Sequence, residues 1–237
     1  DYLLRDAYFT GASYGKFDLT RILRVIRPIE NGIAFQQNGM HAVEDYVVSR
    51  YQMYMQVYFH PATRAMEVLL QNLLKRARTI YPDQKEYFQL TSPRLIPFFE
   101  EEVTIQDYLN LDDGVMNTYF QVWMDSPDTI LSDLAQRYIN RKVFKSILFT
   151  EDKRKDLAIL EKLIKEVGFN PTYYTAIHQN FDLPYDIYRP ELEKPRTQIE
   201  MIRKDGSLAE LSQLSPLVAA LAGTRYGDNR FYFPKEM

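Results

Sequence analysis

The chain is 237 residues long, 46% hydrophobic and 26% charged, with a net charge of −3. That length can bury a core in one large domain or two small ones, the acidic balance disfavours a general nucleic-acid binder, and no run of eighteen apolar residues offers a membrane-spanning helix. Cysteine is absent, so no disulfides brace the fold and a reducing cytoplasm is the expected setting. The departure from average composition is aromatic, with 18 Tyr and 14 Phe against one Trp. Tyrosine joins a flat apolar face to a polar tip, which suits packed interfaces and nucleotide sites alike.

In chain order, Asp1 and Arg5 form an i, i+4 pair with the acid first, a helix-stabilising arrangement, and Tyr2 and Asp6 share the adjacent face. No capping residue precedes them, so this helix is expected to run in from an upstream segment. Gly11 and Gly15 end it. A second helix is predicted from Phe17-Asp18 through Arg27, stopped by Pro28, followed by a strand and turn over 31–38. From His41 to about Ala77 the apolar period is helical. Val47, Tyr51, Tyr54 and Tyr58 recur on one side, Met66, Leu69, Leu70 and Leu73 continue the stripe, and Pro61 should kink or split the element.

Ser92-Pro93 and Ser126-Pro127 each read as an N-cap followed by proline at the first helical position. Thr104 with Asp107 resembles a capping box, and Asp112 or Asp113 can cap the next helix. Short helices are predicted near 105–110, 113–124 and 127–140. Thr150 should cap a helix with an apolar stripe of Leu157, Leu160, Leu163, Ile164 and Val167, ended by Gly168 and Pro171. Beyond residue 170 the period shortens. Residues 172–178 and 185–189 carry β-formers, Thr197–Leu211 reads as a hairpin about Asp205-Gly206, and Ser215-Pro216 opens a short helix, Leu217–Ala222, ended by Gly223. The pattern is α+β, predominantly helical, with a small antiparallel sheet late in the chain.

Common catalytic signatures are missing: there is no P-loop, GxGxxG, GxSxG or HExxH motif. His41, His60 and His178 have no second histidine or carboxylate at an obvious metal-ligand spacing. Two constellations stand out. Arg50, Tyr54 and Tyr58 lie at i, i+4, i+8, offering a guanidinium for phosphate and two rings for sugar or base. The same spacing suits an interface stripe whose arginine neutralises a carboxylate. Arg137, Arg141 and Lys145 form a second i, i+4, i+8 line whose like charges repel unless an anion bridges them. A solvated basic face accounts for it equally. By these residues alone the chain is helical with two candidate anion-binding faces.

The DYLLRDA string at 1–7 resembles the stretch that follows the last metal-binding aspartate in HD-domain deoxynucleoside triphosphate triphosphohydrolases. The similarity continues from Gly11 through Phe17-Asp18 to Arg21, through SRYQMYMQVYFHP at 49–61, RKVF-K at 141–145, DLPYDIYRP at 182–190 and SPLVAAL at 215–221. It is closer to bacterial enzymes of Gram-positive type than to the vertebrate enzyme that joins a sterile-alpha-motif domain to an HD domain.

The resemblance implies hydrolysis of a dNTP at the α-phosphorus to deoxynucleoside and triphosphate. It implies a divalent metal (Mg, Mn, Fe, Ni or Zn), held by residues outside this chain. Residues 1–90 would complete the HD catalytic core and 91–237 would form a C-terminal helical and α+β lobe, with a soft boundary near 170. Tyr2 and Asp6 would face the nucleoside, Asp6 near the sugar 3′-hydroxyl. Arg50 would contact phosphate, and Tyr58 would pack under the deoxyribose where a 2′-hydroxyl clashes. Tyr54, where the vertebrate enzyme has histidine, belongs to the same substrate face, and Phe59 replaces a glutamine. Arg21, Arg141 and Lys145 match residues of a regulatory nucleotide site between subunits, while Gln56 and Pro61 replace basic residues there. Allosteric control by an activating nucleotide and assembly as dimers or tetramers are family properties the resemblance carries with it. The alternative is a nucleotide-binding regulatory or assembly module without hydrolase activity of its own. A single-stranded nucleic-acid binder is a further reading, disfavoured by the acidic balance.

Overall fold

In the computed structural model, residues 1–30, 32–179, 198–221 and 228–236 are described. The DLPYDIYRP stretch at 182–190, the β-formers at 185–189 and Gly223 lie outside them. The chain groups into two compact units that interleave along the sequence: Asp1–His60 with Asn180–Asp228, and Pro61–Gln179 with Asn229–Met237. This grouping follows the return of the chain to strands laid down earlier. Among the described residues no helix is long and apolar enough to cross a membrane.

The first unit begins with α1 (Tyr2–Thr10), whose Leu3 and Ala7 are buried and which ends at Gly11 in the left-handed conformation. Glycine adopts that conformation without steric cost. Helix α2 (Leu19–Val25) is capped by Asp18, which accepts from the Arg21 amide. It stops two residues short of the expected end. Ile26–Ile29 is instead strand β1, in an antiparallel hairpin with β2 (Gly32–Gln36). Pro28 disfavours helix in the residue before it, and as an edge strand β1 tolerates the missing amide.

Helix α3 (Met40–Met53) passes directly into a π-helical turn over Tyr54–Tyr58, closed by the Phe59 amide donating to the Tyr54 carbonyl at 2.8 Å. Val43 and Val47 pack against Met201, Leu211 and Val218. Met53 packs with Leu3 and Ala7, fixing α1 to the same helix. The expected split at Pro61 occurs there: α4 (Pro61–Ile80) starts on the proline, whose missing amide no helix start requires.

Helix α4 lays Ala65, Val68, Leu69, Leu73 and Ala77 into the core of the second unit. After it come α5 (Lys85–Thr91), α6 (Ile96–Glu100), α7 (Ile105–Leu109), α8 (Asp113–Trp123) and α9 (Thr129–Ile139). The Thr104–Asp107 capping box forms as expected, and Asp112 caps α8. Ser92 does stand at the start of a 3-10 turn, Pro93–Leu95, with the proline first, but neither serine-proline pair makes the expected side-chain cap bond. Ser92 is fully buried and its hydroxyl accepts from Trp123 Nε1 at 3.2 Å. Ser126 is displaced as the cap of α9 by Asp128, which accepts from the Leu131 amide at 2.8 Å. A carboxylate is as good a cap as serine, and here it also receives Arg76 through Nε at 3.0 Å and Nη2 at 2.5 Å.

Strand β3 (Lys145–Leu148) follows, then a short 3-10 segment that Thr150 precedes without a side-chain cap bond, then α10 (Leu157–Glu166). Leu157 and Ile164 are buried as expected, but Leu163 and Val167 of the same stripe are 43% and 57% exposed. Residues Pro171–Tyr174 form helix α11 rather than strand, with Asn170 capping it, before β4 (Ala176–Gln179).

The late hairpin is present as β5 (Glu200–Ile202) and β6 (Leu208–Glu210). It does not form a sheet of its own. β5 pairs in parallel with β2, Phe35 opposite Met201, giving a mixed sheet of order β1-β2-β5-β6. Short helices α12 (Leu211–Leu214) and α13 (Pro216–Leu221) follow, α13 capped by the Ser215 hydroxyl accepting from the Val218 amide. Finally β7 (Asn229–Phe233) lies between β3 and β4 as the centre of an antiparallel sheet, with Phe231 and Tyr232 buried. The α+β class stands, with strands at both ends of the sequence.

Candidate functional site

Packing α1 onto α3 brings two remote sequence stretches together. The Tyr58 hydroxyl donates to Asp6 Oδ2 at 2.5 Å. The Tyr2 ring lies 6.3 Å from Tyr58, and Tyr54 meets Tyr58 edge-on at 4.9 Å. Arg50 Cζ stands 4.6 Å from the centroid of Tyr54. All five residues expected at the substrate face (Tyr2, Asp6, Arg50, Tyr54 and Tyr58) thus form one cluster. The loop after α1 closes against it: the buried Ser49 hydroxyl donates to the Lys16 carbonyl at 3.1 Å. Gly15 lies so close to α1 that an added Cβ would stand 2.6 Å from Ala7 Cβ and 2.9 Å from the Leu3 carbonyl.

The electrostatics of the cluster are shared. Burial raises the Tyr58 pKa, and the bond to Asp6 raises it further by favouring the protonated phenol. Burial also raises that of Tyr54, aided by a hydrogen bond with Tyr2. For Arg50, burial opposes the charge, but a hydrogen bond to Tyr2 and the nearby phenols outweigh it and hold the guanidinium protonated. The result is one fixed cation, one carboxylate oriented by a phenol, and three aromatic faces. Chemically, a guanidinium can pair with an anion, a carboxylate can accept from a hydroxyl, and an aromatic face can pack against an apolar ring.

One member escapes the sequence reading. Tyr46 precedes Arg50 by four residues, packs edge-on against Phe17 at 5.2 Å, and is linked by charge to Tyr2 and Arg50. The i, i+4 line that flagged Arg50, Tyr54 and Tyr58 extends back to it, so the signal was available.

The basic line does not exist as a helical face. α9 ends at Ile139, and Arg141 is left-handed at φ 53°, which breaks the helix. Arg137 is only 7% exposed, bound through Nε to Asp133 at 2.7 Å and through Nη1 to Glu236 at 3.0 Å. Lys145 sits on β3 opposite Phe233, with its side chain exposed. Arg21, on α2 of the other unit, donates from Nη2 to the Asn38 carbonyl at 3.0 Å. Contrary to expectation His41 does have a carboxylate partner, Glu44, at 2.6 Å. Among the described residues no group of three or more His, Asp or Glu side chains is placed to hold a metal ion.

Residues 17–91, which include Arg50, Tyr54 and Tyr58 but not Tyr2 or Asp6, match the family model described as an HD associated region. The whole chain is 45% identical over 238 residues to the uncharacterized protein YwfO of Bacillus subtilis, covering 100% of this chain and 55% of that protein. It is 26% identical to an uncharacterized protein of Methanocaldococcus jannaschii, covering 100% and 48% respectively. The chain therefore spans about half the length of the curated relatives it matches. Among solved structures, a phosphohydrolase from Bacteroides thetaiotaomicron shares the fold with a TM-score of 0.77 at 24% identity, over 99% of this chain and 60% of that one. A hypothetical protein from Aquifex aeolicus matches with a TM-score of 0.63 at 26% identity, over 100% and 53%.

Proposed function

We propose that this chain forms the nucleoside- and phosphate-binding side of a dNTP triphosphohydrolase whose metal ligands lie outside it. The observation that carries the reading is the convergence of Tyr2, Asp6, Arg50, Tyr54 and Tyr58 from two stretches far apart in sequence. The HD-associated match and the fold shared with a phosphohydrolase support phosphate-ester hydrolysis. In this reading Asp6, with one oxygen held by Tyr58, turns the other toward the sugar 3′-hydroxyl. The Tyr58 ring closes the space beneath the sugar, so a 2′-hydroxyl is excluded by contact. Arg50 receives the polyphosphate and stabilises its charge as the α-phosphorus is attacked. A divalent metal, when bound by residues outside the chain, supplies the activated water.

The test incubates the full-length protein with each dNTP and a divalent metal and identifies the inorganic product. Triphosphate is expected; pyrophosphate or single phosphate refutes the reaction. Binding without any hydrolysis would leave the assembly-module reading in its place. Tyr58→Ala should narrow the preference for dNTP over rNTP, and unchanged selectivity would remove Tyr58 from the sugar. We also propose Arg21, Arg141 and Lys145 as residues of a regulatory nucleotide site in a homo-oligomer. Arg141→Ala with Lys145→Ala should then alter nucleotide activation or assembly; wild-type behaviour in both would end that assignment.

A further inference from the structure

Building on the nucleotide-pocket reading, we infer that Tyr54 is a positioning residue: its ring face fixes the guanidinium plane of Arg50 so that the N–H edge, rather than the face, meets the polyphosphate. The resemblance put Tyr54 among the substrate contacts; the geometry puts its ring against the arginine. Arg50 Cζ lies 4.6 Å from the centroid of the Tyr54 ring. A guanidinium stacked on an aromatic face keeps its donors in plane and directed sideways, the orientation a bidentate pair of phosphate oxygens requires.

The platform is itself held. Tyr58 meets Tyr54 at 4.9 Å and 69°, and Phe59 meets it at 5.7 Å and 74°, both edge-on. Two consecutive residues pack against one ring because of the π-helical turn. The amide of Phe59 bonds to the carbonyl of Tyr54, five residues back, so the widened turn brings residue i+5 over residue i, where an α-helix would bring i+4. The local insertion that distinguishes this segment is thus what braces the ring under Arg50. A hydrogen bond between Arg50 and Tyr2 holds the cation from another side.

In this arrangement the ring of Tyr54 carries the main contact with the guanidinium, and its hydroxyl adds hydrogen bonds to Tyr2 and Arg50. The experiment measures binding of inorganic triphosphate and of deoxyadenosine triphosphate to the full-length protein by calorimetry. Wild type is compared with Tyr54→Phe, which keeps the π face, and Tyr54→Leu, which keeps bulk without it. Tyr54→Phe should bind both probes within about twofold of wild type, and Tyr54→Leu about fivefold or more weakly. In an Arg50→Ala background, Tyr54→Leu should cause no further loss, because the ring acts through the arginine. Wild-type affinity in Tyr54→Leu, equal weakening in Tyr54→Phe, or additive losses in the double variant would each overturn the inference while the pocket reading stands. Failure of the wild-type protein to bind either probe would bring down the pocket reading and this inference with it.

Discussion

Replacing Tyr58 by Phe removes one hydroxyl and keeps the ring that packs on Tyr2 and Tyr54. That hydroxyl donates to Asp6 over 2.5 Å, and both side chains are partly shielded from water. A hydrogen bond to a charged group contributes about 1.5–3 kcal/mol. Residual exposure at both partners puts this one at the low end, about 1.5 kcal/mol, or roughly tenfold in the folding equilibrium. The sign with pH follows from linkage. The folded-state pKa of Tyr58 is raised above its ordinary value by burial and by the Asp6 bond. The contribution is therefore complete below about pH 10 and is lost as pH rises from there through the folded-state value. Urea unfolding of wild type and Tyr58→Phe should differ by about 1.5 kcal/mol at pH 8, and the difference should shrink between about pH 10 and 11. A gap below about 0.3 kcal/mol at pH 8, or the same gap at both ends, would refute the bond as described.

Asp128→Ala removes both the cap of α9 and the partner of Arg76, whose side chain is only 20% exposed; a loss of about 3–4 kcal/mol in chemical unfolding is expected, against about 1–2 for Asp128→Asn, which still caps. For Asp128, burial raises the pKa, but the bond from Arg76 outweighs it and the net shift is down. Its contribution is therefore present above about pH 4 and lost as pH falls through the folded value, so Arg76→Met should flatten the acid limb of stability; an unchanged limb contradicts the assignment. Gly15→Ala forces α1 away from the loop against the 2.6 Å and 2.9 Å contacts an added Cβ would meet, and should cost about 1–3 kcal/mol and weaken nucleotide binding; an unchanged melting temperature would show that the loop yields freely. Ser92→Ala leaves the Nε1 proton of Trp123 without its buried acceptor and should destabilise by about 1–3 kcal/mol. The chain has a single Trp, so its fluorescence reports the site, and a wild-type emission maximum with full stability would exclude the bond.

Local signals were legible wherever a residue acts within its own turn. The left-handed Gly11, the Thr104–Asp107 box, the Asp112 cap and the break at Pro61 are all choices made by neighbours a few positions apart. The i, i+4 line of Arg50, Tyr54 and Tyr58 was legible for the same reason, and so in principle was Tyr46. Expectations failed where a distant partner outbid the local one. Ser92 opens a 3-10 turn as its position suggests, but its hydroxyl serves a buried indole instead of the cap. Asp128 displaced Ser126 because one carboxylate can cap a helix and hold Arg76 together. Arg137, Arg141 and Lys145 share a spacing but not a helix, since Arg141 turns left-handed and Arg137 is claimed by Asp133 and Glu236.

By itself the sequence determined the α+β class, most helix positions and the residue types of the candidate site. Tertiary structure alone decided that the late hairpin joins β2 in parallel and that β7 returns between β3 and β4. It alone placed the Tyr58 hydroxyl on Asp6. Strand partners and cross-helix contacts depend on which apolar faces can be buried together, Leu3 and Ala7 on Met53, Met201 on Val43 and Val47. No periodicity within a single element encodes that choice.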